Sequence, residues 1–251
     1  MPFTLAHPIA ALPLWWGSRR RLDLPALMVG AAIPDISYFI ALQPVANIGH
    51  QLSGIFLEGI PSALALLFIG KYVLWQPVIQ LLPSAIARKF PQHCPYRFLP
   101  LSRLLTITLS IALGAATHII WDSFTHPNSW GTNNISGLSY NLLSIPIYKW
   151  LQYSGGLIGF LLMLCIAYWS LRAIESRYQT PTLPIQKKVI ALIAISAITI
   201  LTIFAALQPT ISITEKIIAI VVGSISGSFI GFCFYALCFW LGLLVWPKIS
   251  D

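Results

Sequence analysis

Apolar side chains fill seven blocks of the chain, and most polar ones lie between them. The blocks run over 3–16, 25–42, 55–75, 102–124, 154–172, 188–208 and 216–246. About 20 apolar residues in a helix cross the roughly 30 Å hydrocarbon core of a bilayer. Six blocks meet that length or come close. The first is too short to cross alone, so it reads as a half-span or an interfacial helix, where Trp15 and Trp16 suit the headgroup region. The pattern predicts an all-α fold, a polytopic membrane helix bundle of about six to seven membrane segments in one integral-membrane domain over 1–251. Residues 1–130 carry the candidate site, and 154–246 read as helical scaffold. In that scaffold Gly223, Gly227 and Gly231 recur every four residues, and Gly155 and Gly159 repeat the spacing. Such stripes let helix backbones approach closely.

Composition agrees with the pattern. Hydrophobic residues make up 57% of the chain and charged residues 9%, against about 25% charged in a soluble domain. The N-terminal stretch lacks a basic region ahead of its apolar run, so it does not read as a signal peptide. The net charge is +8, but no basic stripe with interleaved aromatics accompanies it, so no nucleic-acid role is expected. The charge reads instead as topology. Thirteen of the fifteen Lys and Arg residues lie in alternate loops, at 19–21, 71–103, 172–188 and 248, which leaves Lys149 and Lys216 on the other side. The basic loops are expected in the cytoplasm, and loops 43–54, 125–153 and 209–215 outside. The Pro-rich basic stretch 83–100 reads as a loop resting on anionic headgroups, with His93 a loop histidine within it. Cys94, Cys165, Cys233 and Cys238 form no C-x-x-C pair and read as buried small hydrophobes.

The polar residues on the expected outer side are not scattered. Asp35 follows Pro34, where a proline frees backbone groups and lets a helix bend. His50 lies in the next loop, and Glu58 opens the third block. His118, Asp122 and His126 stand at i, i+4 and i+8, one face of a helix if it persists that far. Pro127 biases His126 away from helical geometry. If the first block enters from outside, His7 joins them. Ionisable groups at membrane depth are costly and mark function by default. Imidazole nitrogen with carboxylate oxygen suits zinc, or a pair of divalent ions, as in two-metal phosphoester hydrolases. Ser123 and Thr125 read as support for the site or as helix capping. No G-x-S-x-G, H-E-x-x-H or phosphate-cradling glycine loop competes.

The stretches "MPFTLAHPIAALPL", "GAAIPDISYF", "GHQLSGIFLEGIP", "ATHIIWDSFTH" and "LQYSGGLIG" resemble the bacterial membrane-protein family known as domain of unknown function 4184. The likeness covers residues 1–160 by motif and the rest by hydropathy. More distantly, the order of His, Pro-Asp, loop His and H-x-x-x-D is similar to that of inner-membrane metal-dependent hydrolases, a group itself similar to zinc-dependent phospholipase C. That resemblance implies metal ligands at His7, Asp35, His50, His118 and Asp122. The hydrolase group usually sets a basic residue and a Ser around its loop histidine, whereas this chain reads "GHQLSG".

The resulting expectation is a membrane-embedded, metal-dependent hydrolase in a bacterial inner (plasma) membrane. Its site opens toward the outer leaflet and takes a lipid-linked substrate or another phosphoester among the membrane lipids. Zinc, as one or two ions, is the expected cofactor, and Glu58 or His126 the expected proton shuttle. The alternatives are a metal-ion or proton transporter, and a non-catalytic scaffold whose His and Asp residues merely pair.

Overall fold

A computed structural model describes residues 4–43, 48–207 and 212–243. Lys248, the end of the 216–246 block and parts of the loops expected outside at 43–54 and 209–215 lie beyond the described residues. The fold is an all-α bundle, and among the described residues six helices are long and apolar enough to cross a membrane. After a 3-10 turn at Thr4–Ala6, the helices are α1 (Pro8–Gly17), α2 (Leu24–Ala41), α3 (Leu52–Leu81), α4 (Leu101–Thr125), α5 (Ile147–Ala173), α6 (Ile185–Ala206) and α7 (Ile213–Trp240). Apolar side chains cover the outward faces of the long helices, as lipid-facing surface requires.

Local chemistry sets the helix ends. Helix α2 starts where the Asp23 carboxylate accepts from the Ala26 N–H at 2.8 Å. It breaks into a 3-10 turn at Ile33–Asp35, because Pro34 brings no N–H to the helical ladder. Helix α3 extends six residues past its expected end and contains two π-turns, Ile55–Gly59 and Gly70–Leu74. Helix α4 ends at Thr125, with His126 extended (φ −120°, ψ 147°) ahead of Pro127, the restriction that a following proline imposes. Helix α5 begins at Ile147, seven residues earlier than the hydropathy suggested, directly after Pro146. Polar Lys149, Gln152 and Ser154 interrupt the apolar run there and hide the first two turns. Helix α1 is ten residues long, about 15 Å, and packs among α2, α4 and α5.

Two close contacts organise the bundle. Helices α2 and α4 cross where Gly30 faces the Ile111 backbone and Gly114 faces the backbone of Leu27 and Ala31. The glycine stripe of α7 faces Ile203, Thr199 and Ile195 of α6, so it serves packing. Around the first crossing lie buried Ala26, Ile33, Ile107, Ile111 and Ala115. Ser226 of α7 donates to Phe39 O at 2.8 Å, and Tyr235 to Pro77 O at 3.0 Å, which tie the scaffold to α2 and α3.

The basic loops meet at one end of the bundle. Arg177 N and Tyr178 N donate to Arg88 O, Thr180 Oγ1 to Phe90 O, and Lys188 Nζ to Leu82 O. Arg103, at the start of α4, pairs with buried Asp23, which also accepts from the Tyr96 hydroxyl at 2.8 Å. Burial and the Asp23 carboxylate raise the Tyr96 pKa. The cysteines depart from expectation. Cys165 is exposed and the other three are half-buried, none in a disulfide; Cys165, Cys233 and Cys238 lie on outward-turned faces of α5 and α7, and Cys94 lies in the basic loop.

Candidate metal centre

At the end of the bundle away from the basic loops, five side chains from four parts of the fold converge. His7 sits between the N-terminal 3-10 turn and α1, Asp35 on the break in α2, His50 on a 3-10 turn before α3, and His118 and Asp122 one turn apart on α4. His7 Nε2 lies 3.2 Å from Asp122 Oδ1. His50 Nε2 lies 3.3 Å from Asp35 Oδ1 and 3.4 Å from Asp122 Oδ2. His118 Nε2 lies 3.3 Å from Asp122 Oδ2 and 3.7 Å from Asp35 Oδ1. Two trios share His118, one with His7 and Asp122 and one with Asp35 and His50, each with its ligand atoms within 4.8 Å of one another. Four of the five are buried, and His50 is half-buried.

The hydrogen bonds show what the cluster lacks. His118 Nδ1 is 2.8 Å from Ala31 O. A carbonyl only accepts, so Nδ1 carries the proton and a neutral ring presents a bare lone pair at Nε2. That Nε2 atom is buried with no hydrogen-bond partner among the described residues, and so is Asp35 Oδ1 opposite it. An unpaired buried polar atom is costly, and here two acceptors stand 3.7 Å apart. Zinc fits the gap. Tetrahedral ligands on bonds of about 2.0–2.1 Å stand about 3.3–3.4 Å apart, close to the separations in the cluster. Asp35 is held from behind by Thr4 Oγ1, which donates to Oδ2 at 2.5 Å, and His7 stacks on His118 with ring centroids 3.9 Å apart. Burial opposes a charge on His50, but the Asp122 and Asp35 carboxylates outweigh it and raise the His50 pKa to about 9. At His126 burial prevails over the Asp122 carboxylate and lowers the pKa.

The two residues read as proton shuttles fall differently. His126 stays beside the cluster although the helix stops before it, with Nδ1 3.6 Å from Asp122 Oδ2. The hydrogen-bond partner of Glu58 is the Ser37 hydroxyl. His93 remains in the basic loop at the other end. Ser123 and Thr125 donate to Ile120 O and Trp121 O within the last turns of α4.

Two cavities meet the cluster. One, of about 450 Å³, is lined by Tyr38, His50, Asp122, His126, Ser129 and Trp130 among others. The second, of about 400 Å³, is an apolar groove between α1 and α5. His7 and Gln152 are among its few polar lining residues, beside Trp121, Ile158, Gly159 and Leu162. Thr4, Tyr38 and Gln152 were not foreseen as site residues. Thr4 and Gln152 lie inside the stretches "MPFTLAHP" and "LQYSGG", and Tyr38 follows Asp35 by three residues.

A family model described as a domain of unknown function (DUF4184) matches residues 1–237. No curated protein and no solved structure matches the chain.

Proposed function

The chain belongs to the domain of unknown function 4184 family, and with that membership as the premise we propose that it is a membrane-embedded, metal-dependent hydrolase of phosphoesters or lipid headgroups. The observation that carries the reading is the pair of orphaned buried acceptors, His118 Nε2 and Asp35 Oδ1, which face each other inside a ring of three imidazoles and two carboxylates. His7, Asp35, His50, His118 and Asp122 are the proposed ligands. Their two negative charges match one divalent ion, and zinc suits the donor set. A bound ion of this kind lowers the pKa of a water and polarises a phosphoryl or carbonyl oxygen.

The chain's own residues would do the rest. Ala31 O and Thr4 Oγ1 orient two of the ligands from behind, which is how a protein fixes ligand geometry. The cavity beside His50, Asp122 and His126 has room and polar side chains for a headgroup, and the apolar groove beside His7 offers room for a hydrocarbon chain. An amphiphile placed across the two would bring its polar–apolar junction to the centre. The asymmetry of Lys and Arg supports a cytoplasmic basic end and a centre that opens toward the outer leaflet, and a bacterial inner membrane is the proposed location.

The test is metal analysis of purified protein, wild type against His118→Ala and Asp122→Ala, with hydrolysis of phosphoester substrates measured on the same samples. Near-stoichiometric divalent metal and hydrolysis in wild type, both lost in the variants, is the expected result. Equal and negligible metal in all three sinks the reading.

A further inference from the structure

Helix α5 reads from its hydropathy as scaffold, yet its first turns reach the centre. Lys149 Nζ donates to Gln152 Oε1 at 2.9 Å. Gln152 Nε2 lies 2.9 Å from His126 Nε2. His126 Nδ1 lies 3.2 Å from Asp122 O and 3.6 Å from Asp122 Oδ2. Donor and acceptor roles along this chain follow from chemistry alone. An ammonium group only donates, so the amide oxygen of Gln152 must face Lys149. The amide NH₂ then faces His126, and Nε2 must accept. At the other side of the ring, a backbone carbonyl and a carboxylate only accept, and the Thr125 hydroxyl 3.3 Å away gives its proton to Trp121 O, so Nδ1 carries the proton. Both ends demand the same tautomer.

We propose that Lys149 and Gln152 are positioning residues that lock His126 as its Nδ1–H tautomer, so that His126 steadies the ligand Asp122 and does not act as a proton shuttle. With Gln152 on one ring nitrogen and Asp122 on the other, neither nitrogen is left for a shuttle. Lys149 is suited to the role. It stands at the start of α5 with its ammonium 5.9 Å from the centroids of the Tyr148 and Tyr153 rings. Gln152 is buried, so its amide has little water with which to exchange partners. The consequence for metal binding rests on the metal-centre reading, but the tautomer does not.

The experiment reads histidine side-chain ¹⁵N resonances in metal-free protein, with His126→Asn for assignment, and zinc affinity by chelator competition. Wild type is expected to show His126 with a protonated Nδ1 and a bare Nε2. Lys149→Met lets the amide turn and gives mixed tautomers, and Lys149→Arg restores the single form. Gln152→Glu presents an acceptor to Nε2 and puts a proton there. Loss of the lock is expected to weaken zinc about 10–100-fold, the usual effect of removing a partner behind a metal ligand. A wild-type His126 protonated at Nε2, or a tautomer unmoved by Lys149→Met and Gln152→Glu, overturns the proposal. Wild-type protein that shows the tautomer but binds no zinc overturns the metal centre and leaves the lock standing.

Discussion

Gly114→Ala tests whether the crossing of α2 and α4 builds the centre. A methyl on Gly114 would lie 2.1 Å from Leu27 O and 2.8 Å from Ala31 N. Real Cβ atoms essentially never approach within 3.0 Å, and both obstacles are backbone, so no side chain can swing away. The helices must part by about 0.9 Å, the gap between 2.1 and 3.0 Å. One turn further along the same face, His118 Nδ1 is 2.8 Å from Ala31 O. The same displacement there makes about 3.7 Å, which is no longer a hydrogen bond. Overpacking costs about 1–3 kcal/mol, and a stranded buried N–H a further 1–3 or so. The expected result is a thermal midpoint in detergent lowered by several degrees, together with zinc affinity weakened about 10–100-fold. Gly137→Ala is the control, since a methyl there meets nothing within 4 Å. Gly114→Ala protein with wild-type stability and zinc affinity would refute the argument that backbone contact at the crossing sets the position of His118.

Asp23→Ala removes the carboxylate that caps α2 and receives Tyr96 and Arg103. Loss of the cap alone costs about 0.5–2 kcal/mol, so the melting temperature falls while metal content stays at the wild-type level. A variant that loses metal as well would show that the two ends of the bundle are coupled. The proposed orientation is checked with a membrane-impermeant maleimide on right-side-out vesicles, in protein whose other cysteines are removed. Ser136→Cys, on the exposed loop at the site end, should label, and Cys94, in the basic loop, should not.

The parts of the fold and site that were legible in the sequence are those whose signal is local. Six apolar blocks become six helices because a lipid-crossing helix needs a run of about fixed length. The His118–Asp122 spacing places both residues on one helix face, and Pro34 marks the break that carries Asp35. What was hidden depends on partners distant in the chain. Gly30 and Gly114 stand alone in their helices without a repeat, so only their mutual contact reveals them. Gln152 lies in polar turns that hydropathy assigns to a loop. Glu58 has the same credentials in sequence as Asp35, but its carboxylate meets Ser37 across the neighbouring helix. Cys165, Cys233 and Cys238 occupy apolar stretches, and in lipid an apolar stretch says nothing about which face turns inward.

The contact between His7 and Asp122 joins residues 115 positions apart in the chain. At about 5–20 residues per second, synthesis takes roughly 6–23 s to bring the second after the first. During that interval the growing chain holds His7, and then Asp35, with no His118 to complete either trio. The centre therefore assembles late in biogenesis, after α4 has entered the membrane, and a chain arrested before that step carries an incomplete set of donors. Metal loading would in this way report on insertion itself, separating finished molecules from stalled ones.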